Sequence, residues 1–277
     1  MAASKKFRDT LTGRKRVVHL TPVLWDELPV FGVTLPQRLF QGGLPPALLA
    51  PAKQPALYRE WLDSFFARDI QRLFGFRDID RFNALFEYLL RQSGGQFEVT
   101  KTAAALGITR PTVESHLRAL EITHAVTVLR PFHGGGQNEI IKQPKVYAFD
   151  TGFVSFARGW DPLRPDDFGP LWEHLVLEHL QAHFQDTPIR YWRDKAGHEV
   201  DFVLAHRRDQ VTAVECKWDP GAFDSSALKL FRTFYPKGSN FLVTPSGDPA
   251  YTRRYGNLAV RICTPTELPP QLSPLPG

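Results

Sequence analysis

Two acidic residues and a lysine interrupt a part of the chain that otherwise has the composition of β-strands. Asp201 lies in one run of apolar residues, and Glu215, Cys216 and Lys217 end the next. Because side chains on a strand alternate between faces, Glu215 and Lys217 should point the same way and Cys216 the other way. Asp201 reaches the face of Glu215 if the two strands pair in a matching register.

Carboxylates that converge in this way are typical ligands of Mg²⁺, a hard cation that takes oxygen ligands and keeps several waters. A bound metal can activate water and stabilise the charge on a phosphate under attack. Lys217 could orient that water or meet the phosphate oxygens as a point charge. The alternative is a half-solvated sheet face, on which Glu215 and Lys217 form a surface ion pair of little energetic value.

Three short strands must position these residues. Their β-branched and aromatic content predicts strands at Ile189–Arg193, Glu199–Ala205 and Val211–Lys217, with turns at 194–197 and 206–209. A helix begins near Gly169, upstream of the strands.

An Asp followed by Glu-x-Lys on the next strand resembles the metal site of the PD-(D/E)xK nuclease fold. The resemblance implies two more site groups: a glutamate from the preceding helix, for which Glu173 is the candidate, and the backbone carbonyl of Cys216 as a further metal ligand. The catalytic set is then Glu173, Asp201, Glu215 and Lys217, and the metal ligands are Asp201, Glu215 and the Cys216 carbonyl.

Residues 97–121 carry a helix-turn-helix pattern. Val99–Leu106 predicts the first helix and Gly107 the turn. Thr109 can cap the second helix, which has a proline in its first turn. Strands at Val126–Phe132 and Lys145–Phe149 flank a glycine-rich tip, so we predict a winged helix. The inward residues of the second helix are Val113, Leu117 and Leu120.

The second helix of such a unit can enter the major groove of DNA. Its outward residues are Arg110, Thr112, Ser115, His116 and Arg118, which are the candidate nucleic-acid contacts. Winged helices also act as spacers between proteins, and here only two of these residues are firm cations. DNA contact and partner contact therefore both stay open.

The first part of the chain is less regular. We predict a strand at Val17–Leu20, a short helix from Pro22, an irregular connection over 34–55 and a helix at Tyr58–Phe76. A further helix is predicted at Asp80–Gln92. The aromatic residues of both long helices fall on one face, which indicates core packing. The basic run at 4–16 is either a nucleic-acid arm or solvated surface.

The composition excludes several classes of protein. The 277 residues suffice for two or three domains, and 43% hydrophobic with 23% charged residues is ordinary for a soluble globular chain. No apolar run reaches the length of a membrane span, and no signal peptide is visible. Two cysteines exclude a disulfide framework and favour a reducing cytoplasm. A net charge of +5 and a pI near 9.2 permit a polyanionic partner.

Short motifs along nearly the whole chain resemble one family when taken in order. They are Leu11–Arg14, Leu20–Leu28, Gly42–Pro45, Trp61–Asp69 with Phe65–Ile70, Gly107–Val113, Pro144–Gly152, Leu171–His174, His198–Val203 and Val214–Lys217. Together they resemble bacterial and archaeal AAA-type ATPases that end in an uncharacterised nuclease-like domain. Each motif is modest, but their order along one chain is specific.

The chain departs from that family in one large respect. A full member carries a phosphate-binding loop, Gly-x-x-x-x-Gly-Lys-Ser/Thr, and an acidic strand for Mg²⁺, and neither occurs here. We therefore expect no ATP binding or hydrolysis by this chain alone. The chain is a truncated form, its start was assigned too late, or a separate chain supplies the missing half. A homo-oligomer is the other partnership that the resemblance allows. Arg14, near the end of the family's ATPase core, could approach a nucleotide across a subunit contact.

We thus predict an α/β chain of three parts. Residues 1–76 are an ATPase remnant with a helical lid, 77–149 a winged helix, and 150–277 a PD-(D/E)xK nuclease-like domain. The expected function is a DNA-binding protein with a Mg²⁺-dependent nuclease fold. The alternative is a non-catalytic module that binds DNA or a protein partner and keeps an inactive nuclease fold.

Overall fold

A computed structural model describes residues 20–76, 78–133, 143–207 and 210–268. Most of the expected strand Val17–Leu20, the basic run with Arg14, and the tip from Gly134 lie outside the described residues. None of the helices in the described ranges is both long and apolar enough to cross a membrane.

The N-terminal part is helical. Its helices are α1 (Leu28–Phe31), α2 (Leu35–Gln41), α3 (Pro45–Leu48), α4 (Pro55–Phe65) and α5 (Gln71–Phe74). A π-helical segment, Phe66–Ile70, joins α4 to α5 without a break. The predicted helix Tyr58–Phe76 is therefore present with shifted ends.

Two predictions for this part were wrong. The helix expected from Pro22 begins at Leu28, because Glu27 accepts a hydrogen bond from the Leu24 N–H at 2.7 Å and closes a turn there. The stretch 34–55, expected to be irregular, contains α2 and α3. Thr34 caps α2 by accepting the Gln37 N–H at 3.3 Å, a signal that the prolines and glycines nearby obscure.

The middle of the chain forms a small antiparallel sheet against three helices. The elements are α6 (Ile79–Arg91), β1 (Gly95–Gln96), α7 (Val99–Leu106), α8 (Arg110–Ile122), β2 (Val126–Leu129) and β3 (Lys145–Ala148). The strand order is β1-β3-β2. We call residues 79–133 and 143–148 the small-sheet unit.

Local signals explain the helices of the small-sheet unit. Gly107 ends α7 with a φ of 62°, and Thr109 caps α8 by accepting the Thr112 N–H at 3.3 Å. The expected first strand is shorter than predicted, since β2 ends at Leu129, two residues before Pro131. A proline cannot donate to a strand ladder.

The C-terminal part is a mixed sheet between helices. After α9 (Thr151–Ala157) and α10 (Pro165–His183) come β4 (Ile189–Arg193), β5 (Glu199–Arg207), β6 (Gln210–Cys216), α11 (Ser226–Phe234), β7 (Asn240–Val243), β8 (Tyr251–Tyr255) and β9 (Leu258–Cys263). The strand order is β4-β5-β6-β7-β9-β8. The β6–β7 and β7–β9 pairs are parallel, and the other pairs are antiparallel.

Each face of this sheet has its own core. Phe202, Val214 and Cys216 join the side chains of α10 and of the N-terminal helices in one large cluster. Val203, Ala213 and the other face pack against Leu228 and Phe231 of α11. The period of two along β5 and β6 therefore assigns alternate residues to the two cores.

The small-sheet unit is joined to the edge of the large sheet by backbone pairing. The Tyr191 N–H donates to the Arg130 carbonyl at 3.3 Å, and the Phe132 N–H donates to the Tyr191 carbonyl at 2.6 Å. Pro131 and Tyr191 form a parallel bridge. The chain beyond β2 thus adds itself to β4, and this brings β3 close to the residues of the candidate site.

Candidate functional site

The register of β5 and β6 brings Asp201 opposite Glu215. Phe202 pairs with Val214, so the next pair along the two antiparallel strands is Asp201 and Glu215. Lys217 Nζ lies 3.2 Å from Glu215 Oε2 and 3.7 Å from Asp201 Oδ2. The structure therefore brings together the three residues that the sequence places on these strands.

The two carboxylates differ in what else they contact. Asp201 Oδ2 accepts the backbone N–H of Cys216 at 2.8 Å, while the Cys216 thiol faces the core beneath α10. Glu215 is 5% exposed, and its Oε1 is buried without a hydrogen-bond partner. A buried carboxylate oxygen without a donor carries an uncompensated desolvation cost.

Glu173 lies on α10, near enough to Asp201 for the charge of that carboxylate to act on it. The helix is fixed against the sheet beside it, because the Trp172 indole N–H donates to the Val243 carbonyl at 3.0 Å. Glu173 Oε1 accepts two hydrogen bonds, one from Lys145 Nζ at 3.1 Å and one from the Tyr147 hydroxyl. Both donors belong to β3 of the small-sheet unit.

Glu199, at the start of β5, supplies the fourth carboxylate of the site. It forms an ion pair with the Lys145 ammonium, and Arg193 Nη1 lies 2.7 Å from its other oxygen. The Lys145 side chain is 5% exposed and lies 5.6 Å from the centre of the Tyr191 ring. We call Glu173, Glu199, Asp201 and Glu215 the acid cluster.

The carboxyl groups of the acid cluster disfavour one another's ionisation. Burial raises the pKa of Glu215 well above its usual value, and the negative charge of Asp201 raises it further, against the opposing effect of Lys217. Burial and Asp201 likewise raise the pKa of Glu173, against Lys145. Asp201 thus lies between two glutamates whose ionisation it disfavours.

The two lysines respond in the opposite direction. Burial alone would lower the pKa of Lys217, but the charges of Asp201 and Glu215 outweigh it and raise that pKa. The pKa of Lys145 is raised in the same way against its burial, chiefly by Glu173 and Asp201. Both ammonium groups are therefore charged at neutral pH.

The sequence patterns predict Lys145 and Tyr147 only as strand residues and do not predict Glu199 as a member of the site. Lys145 and Tyr147 belong to the Pro144–Gly152 motif. Glu199 likewise belongs to the His198–Val203 motif. The motifs were the available signal. What could not be deduced is that β3 packs beside α10, because that contact joins residues 28 and 26 positions apart.

The fit of the acid cluster to a divalent metal is partial. Among the described residues, no group of three or more His, Cys, Asp and Glu side chains is arranged to hold a metal ion. Asp201 and Glu215 supply two carboxylates, and the unpartnered oxygen of Glu215 is a donor atom without a use in the protein itself. Two carboxylates suffice for Mg²⁺, which keeps several of its waters.

The second group of candidates lies on α8. Arg110, Ser115 and Arg118 are exposed and Thr112 is half-buried, so these four lie on the outer side of the helix, as predicted. His116 does not. It is buried at 5% exposure, with its ring 4.6 Å from that of Phe76.

The position of His116 corrects the prediction that it faces outward. It lies three residues after the buried Val113 and four before the buried Leu120, so the helical period places it on the inner face.

A groove of about 670 Å³ runs beside the outer side of α8. Its cationic lining comes from Arg118 of α8, Arg130 after β2 and Arg190 of β4. Arg130 is paired with Glu121 at 2.9 Å. Sequence reasoning did not identify Arg130 or Arg190, because they come together with α8 only through the pairing of the chain with β4.

Two family models match this chain. One describes a domain of unknown function, DUF8612, and matches residues 33–164. The other describes a second domain of unknown function, DUF4143, and matches residues 168–263, which contain Glu173, Asp201, Glu215 and Lys217. No curated protein matches the chain. The second domain is found in proteins associated with AAA-type ATPases, which agrees with that part of the resemblance drawn from the sequence motifs.

Proposed function

We propose that this protein binds nucleic acid through the small-sheet unit, acting as a winged helix, and cleaves phosphodiesters at the acid cluster, acting as a PD-(D/E)xK site. One observation carries the catalytic half of the proposal. Asp201 and Glu215 converge on the ammonium of Lys217, while Glu215 Oε1 is buried without a partner. The unpartnered oxygen leaves one donor atom of the site available to a metal ion, beside the carboxylate oxygens that Lys217 contacts.

The residues that would hold Mg²⁺ are Asp201, Glu215 and the Cys216 carbonyl. A bound Mg²⁺ would activate water and stabilise negative charge on the phosphate. Lys217 is the group of the protein that would contact the phosphate oxygens, since its ammonium stays charged and is about one-third exposed at 31%. The buried carboxylates would be relieved of their mutual repulsion, which favours metal binding over the free state.

The small-sheet unit supports the nucleic-acid half of the proposal. Arg110 and Arg118 are exposed on the outer side of α8, and Arg118 also borders the groove that contains Arg190. Phosphate contacts by such cations position a duplex without reading its sequence. The groove is lined on one side by Arg190 of β4. The same strand carries Arg193, which is paired with Glu199 of the acid cluster.

A second function is favoured by a different observation. Lys145 and Tyr147 already donate hydrogen bonds to the Glu173 carboxylate, so the Lys145 ammonium partly neutralises the negative charge of the cluster. This is what a non-catalytic module with an inactive nuclease fold would show, binding DNA or a protein partner without cleavage.

Cleavage assays separate the two functions. Labelled single- and double-stranded DNA and RNA are incubated with the protein in Mg²⁺ or Mn²⁺, beside Asp201→Asn and Glu215→Gln. Nuclease activity predicts cleavage by the unmodified protein only, together with a rise in Tm on adding Mn²⁺ that both variants lose. If none of the four substrates is cleaved and Mn²⁺ does not raise the Tm of the unmodified protein, the non-catalytic function remains.

A further inference from the structure

One strand of the small-sheet unit provides two donors to a single oxygen of the acid cluster. Lys145 and Tyr147 are two residues apart on β3, so their side chains leave the same face of the strand. Both donate to Glu173 Oε1. The small-sheet unit thus controls where the Glu173 carboxylate points.

The burial of Lys145 shows that this contact is a built feature. Its side chain is 5% exposed, and a lysine is almost never this buried unless it is paired. Glu173 and Glu199 form direct ion pairs with the Lys145 ammonium. The charge of Asp201 raises the pKa of Lys145 from a greater distance.

The donors of Lys145 and Tyr147 therefore compete with a bound cation for the Glu173 carboxylate. A carboxylate that accepts a lysine and a tyrosine hydroxyl is held by charge-assisted hydrogen bonds, which are about twice as strong as neutral ones. While Glu173 is held there, a cation bound by Asp201 and Glu215 has only these two acidic side chains as ligands and lacks the third.

We propose that Lys145, with Tyr147 as its partner, is a positioning residue that keeps Glu173 on β3 and so weakens cation binding between Asp201 and Glu215. This inference rests on the proposed metal site. It makes the small-sheet unit a determinant of metal affinity: the site binds its cation more tightly when β3 releases Glu173. A nucleic acid that moves the small-sheet unit would act through this contact.

The test is Mn²⁺ titration calorimetry on the full chain. The variants are Lys145→Met, which keeps most of the buried stem without the charge, and Tyr147→Phe, which removes only the hydroxyl. Lys101→Met is the matched control, because Lys101 is an exposed lysine of α7 paired with Glu98, the N-cap residue of the same helix. Lys145→Met/Asp201→Asn reports whether any gain belongs to the site.

We expect Lys145→Met to bind Mn²⁺ at least about tenfold more tightly and Tyr147→Phe a few-fold more tightly, with Lys101→Met unchanged. The double variant should lose the gain. A purely structural role of Lys145 predicts the reverse, a variant with weaker binding or none. A direct effect of the Lys145 charge on the cation predicts a gain in Lys145→Met but none in Tyr147→Phe, and that result would overturn the positioning role. Tyr147→Phe covers the case in which Lys145→Met does not fold.

Two contrary outcomes have different meanings. If the unmodified protein binds Mn²⁺ and neither variant binds it more tightly, the positioning role of Lys145 is wrong and the metal site stands. If neither the unmodified protein nor any variant binds Mn²⁺, the proposed metal site fails, and the positioning role fails with it.

Discussion

The Arg38 guanidinium and the Glu178 carboxyl are in direct contact, and solvent is excluded from both side chains, whose exposures are 0% and 3%. Arg38 lies on α2 and Glu178 on α10, 140 residues later. The remaining guanidinium donors of Arg38 reach the Val23 carbonyl at 2.6 Å and the Thr151 hydroxyl at 2.8 Å. One arginine therefore joins the N-terminal helices, α9 and the helix that carries Glu173.

This pair predicts how stability depends on pH. Burial raises the pKa of Glu178 from its usual 4.5 to about 8, although Arg38 opposes the shift. Between these two values the folded protein keeps a proton on Glu178 that the unfolded chain has released, so the contribution of Glu178 to stability should fall as pH rises from about 4.5 to about 8. Between pH 6.5 and 8 the loss should be roughly 2 kcal/mol, at about 1.4 kcal/mol per unit.

Urea denaturation at several pH values measures this dependence. Glu178→Gln should show a flatter slope above pH 6.5, because a glutamine has no proton to release. Glu87→Gln is the control, since Glu87 is exposed on α6 and paired with Arg91. Parallel slopes for Glu178→Gln and the unmodified protein would show that Glu178 is ionised in the fold.

The glycines of the Gly42–Pro45 motif have a structural explanation in the same region. Gly42 ends α2 with a φ of 81°, and a Cβ there would overlap the Asp150 carboxylate, which accepts the Gly43 N–H at 2.6 Å. Gly32 also has a positive φ of 64°, but a Cβ there would meet nothing within 4 Å. Gly32 has a left-handed helical backbone alone, whereas Gly42, with a ψ of −177°, combines a conformation that is nearly exclusive to glycine with the overlap with Asp150.

Gly32→Ala should therefore cost about 1 kcal/mol of stability, the usual cost of a left-handed conformation. Gly42→Ala should cost about 3 kcal/mol or more, because overlap with Asp150 adds to the strain. Equal losses in chemical denaturation would mean that the chain near Asp150 adjusts at little cost.

Elements of the fold can be predicted from the sequence where the residues that determine them lie within the element itself. The helices at Ile79–Arg91, Val99–Leu106 and Arg110–Ile122 were predicted within about one residue at their starts, because each has its own apolar period and end signals. The strands that carry Asp201 and Glu215 were predicted for the same reason.

What was missed depends on distant partners. Arg38 looks like a surface residue in the sequence, yet it is the buried centre of a contact between α2 and α10. Lys145 looks like the polar residue of an alternating strand, yet all four residues of β3 are buried. No periodic pattern predicts that a cation will be buried, since only the carboxylates on other elements make its burial possible.

His116 gives a prediction about the inner face of α8. Its ring packs between Phe76 and Phe82, and burial lowers its pKa. His116→Ala should lose about 2 kcal/mol or more, as a cavity replaces the ring. His116→Phe should keep most of the stability, since it fills the space and removes a buried nitrogen, Nδ1, that has no partner. Thermal denaturation of both variants beside Ser115→Ala, an exposed neighbour, measures this. A loss in His116→Phe equal to that in His116→Ala would show that the imidazole nitrogens are needed.

The last prediction concerns nucleic-acid binding by α8. Arg110 and Arg118 are exposed on its outer side, and each phosphate contact contributes about 0.9 to the slope of log Kd against log salt. Arg110→Ala and Arg118→Ala should each weaken binding to duplex DNA and lower that slope by about one, and together by about two.

Arg91→Ala is the control, because Arg91 is an exposed arginine of α6 paired with Glu87 at 2.6 Å. His116→Phe should bind like the unmodified protein, since its ring lies inside. Fluorescence anisotropy from low to high salt gives the slopes. Unchanged slopes in the double variant would place the phosphate contacts elsewhere, and Arg190→Ala would then test the groove beside α8.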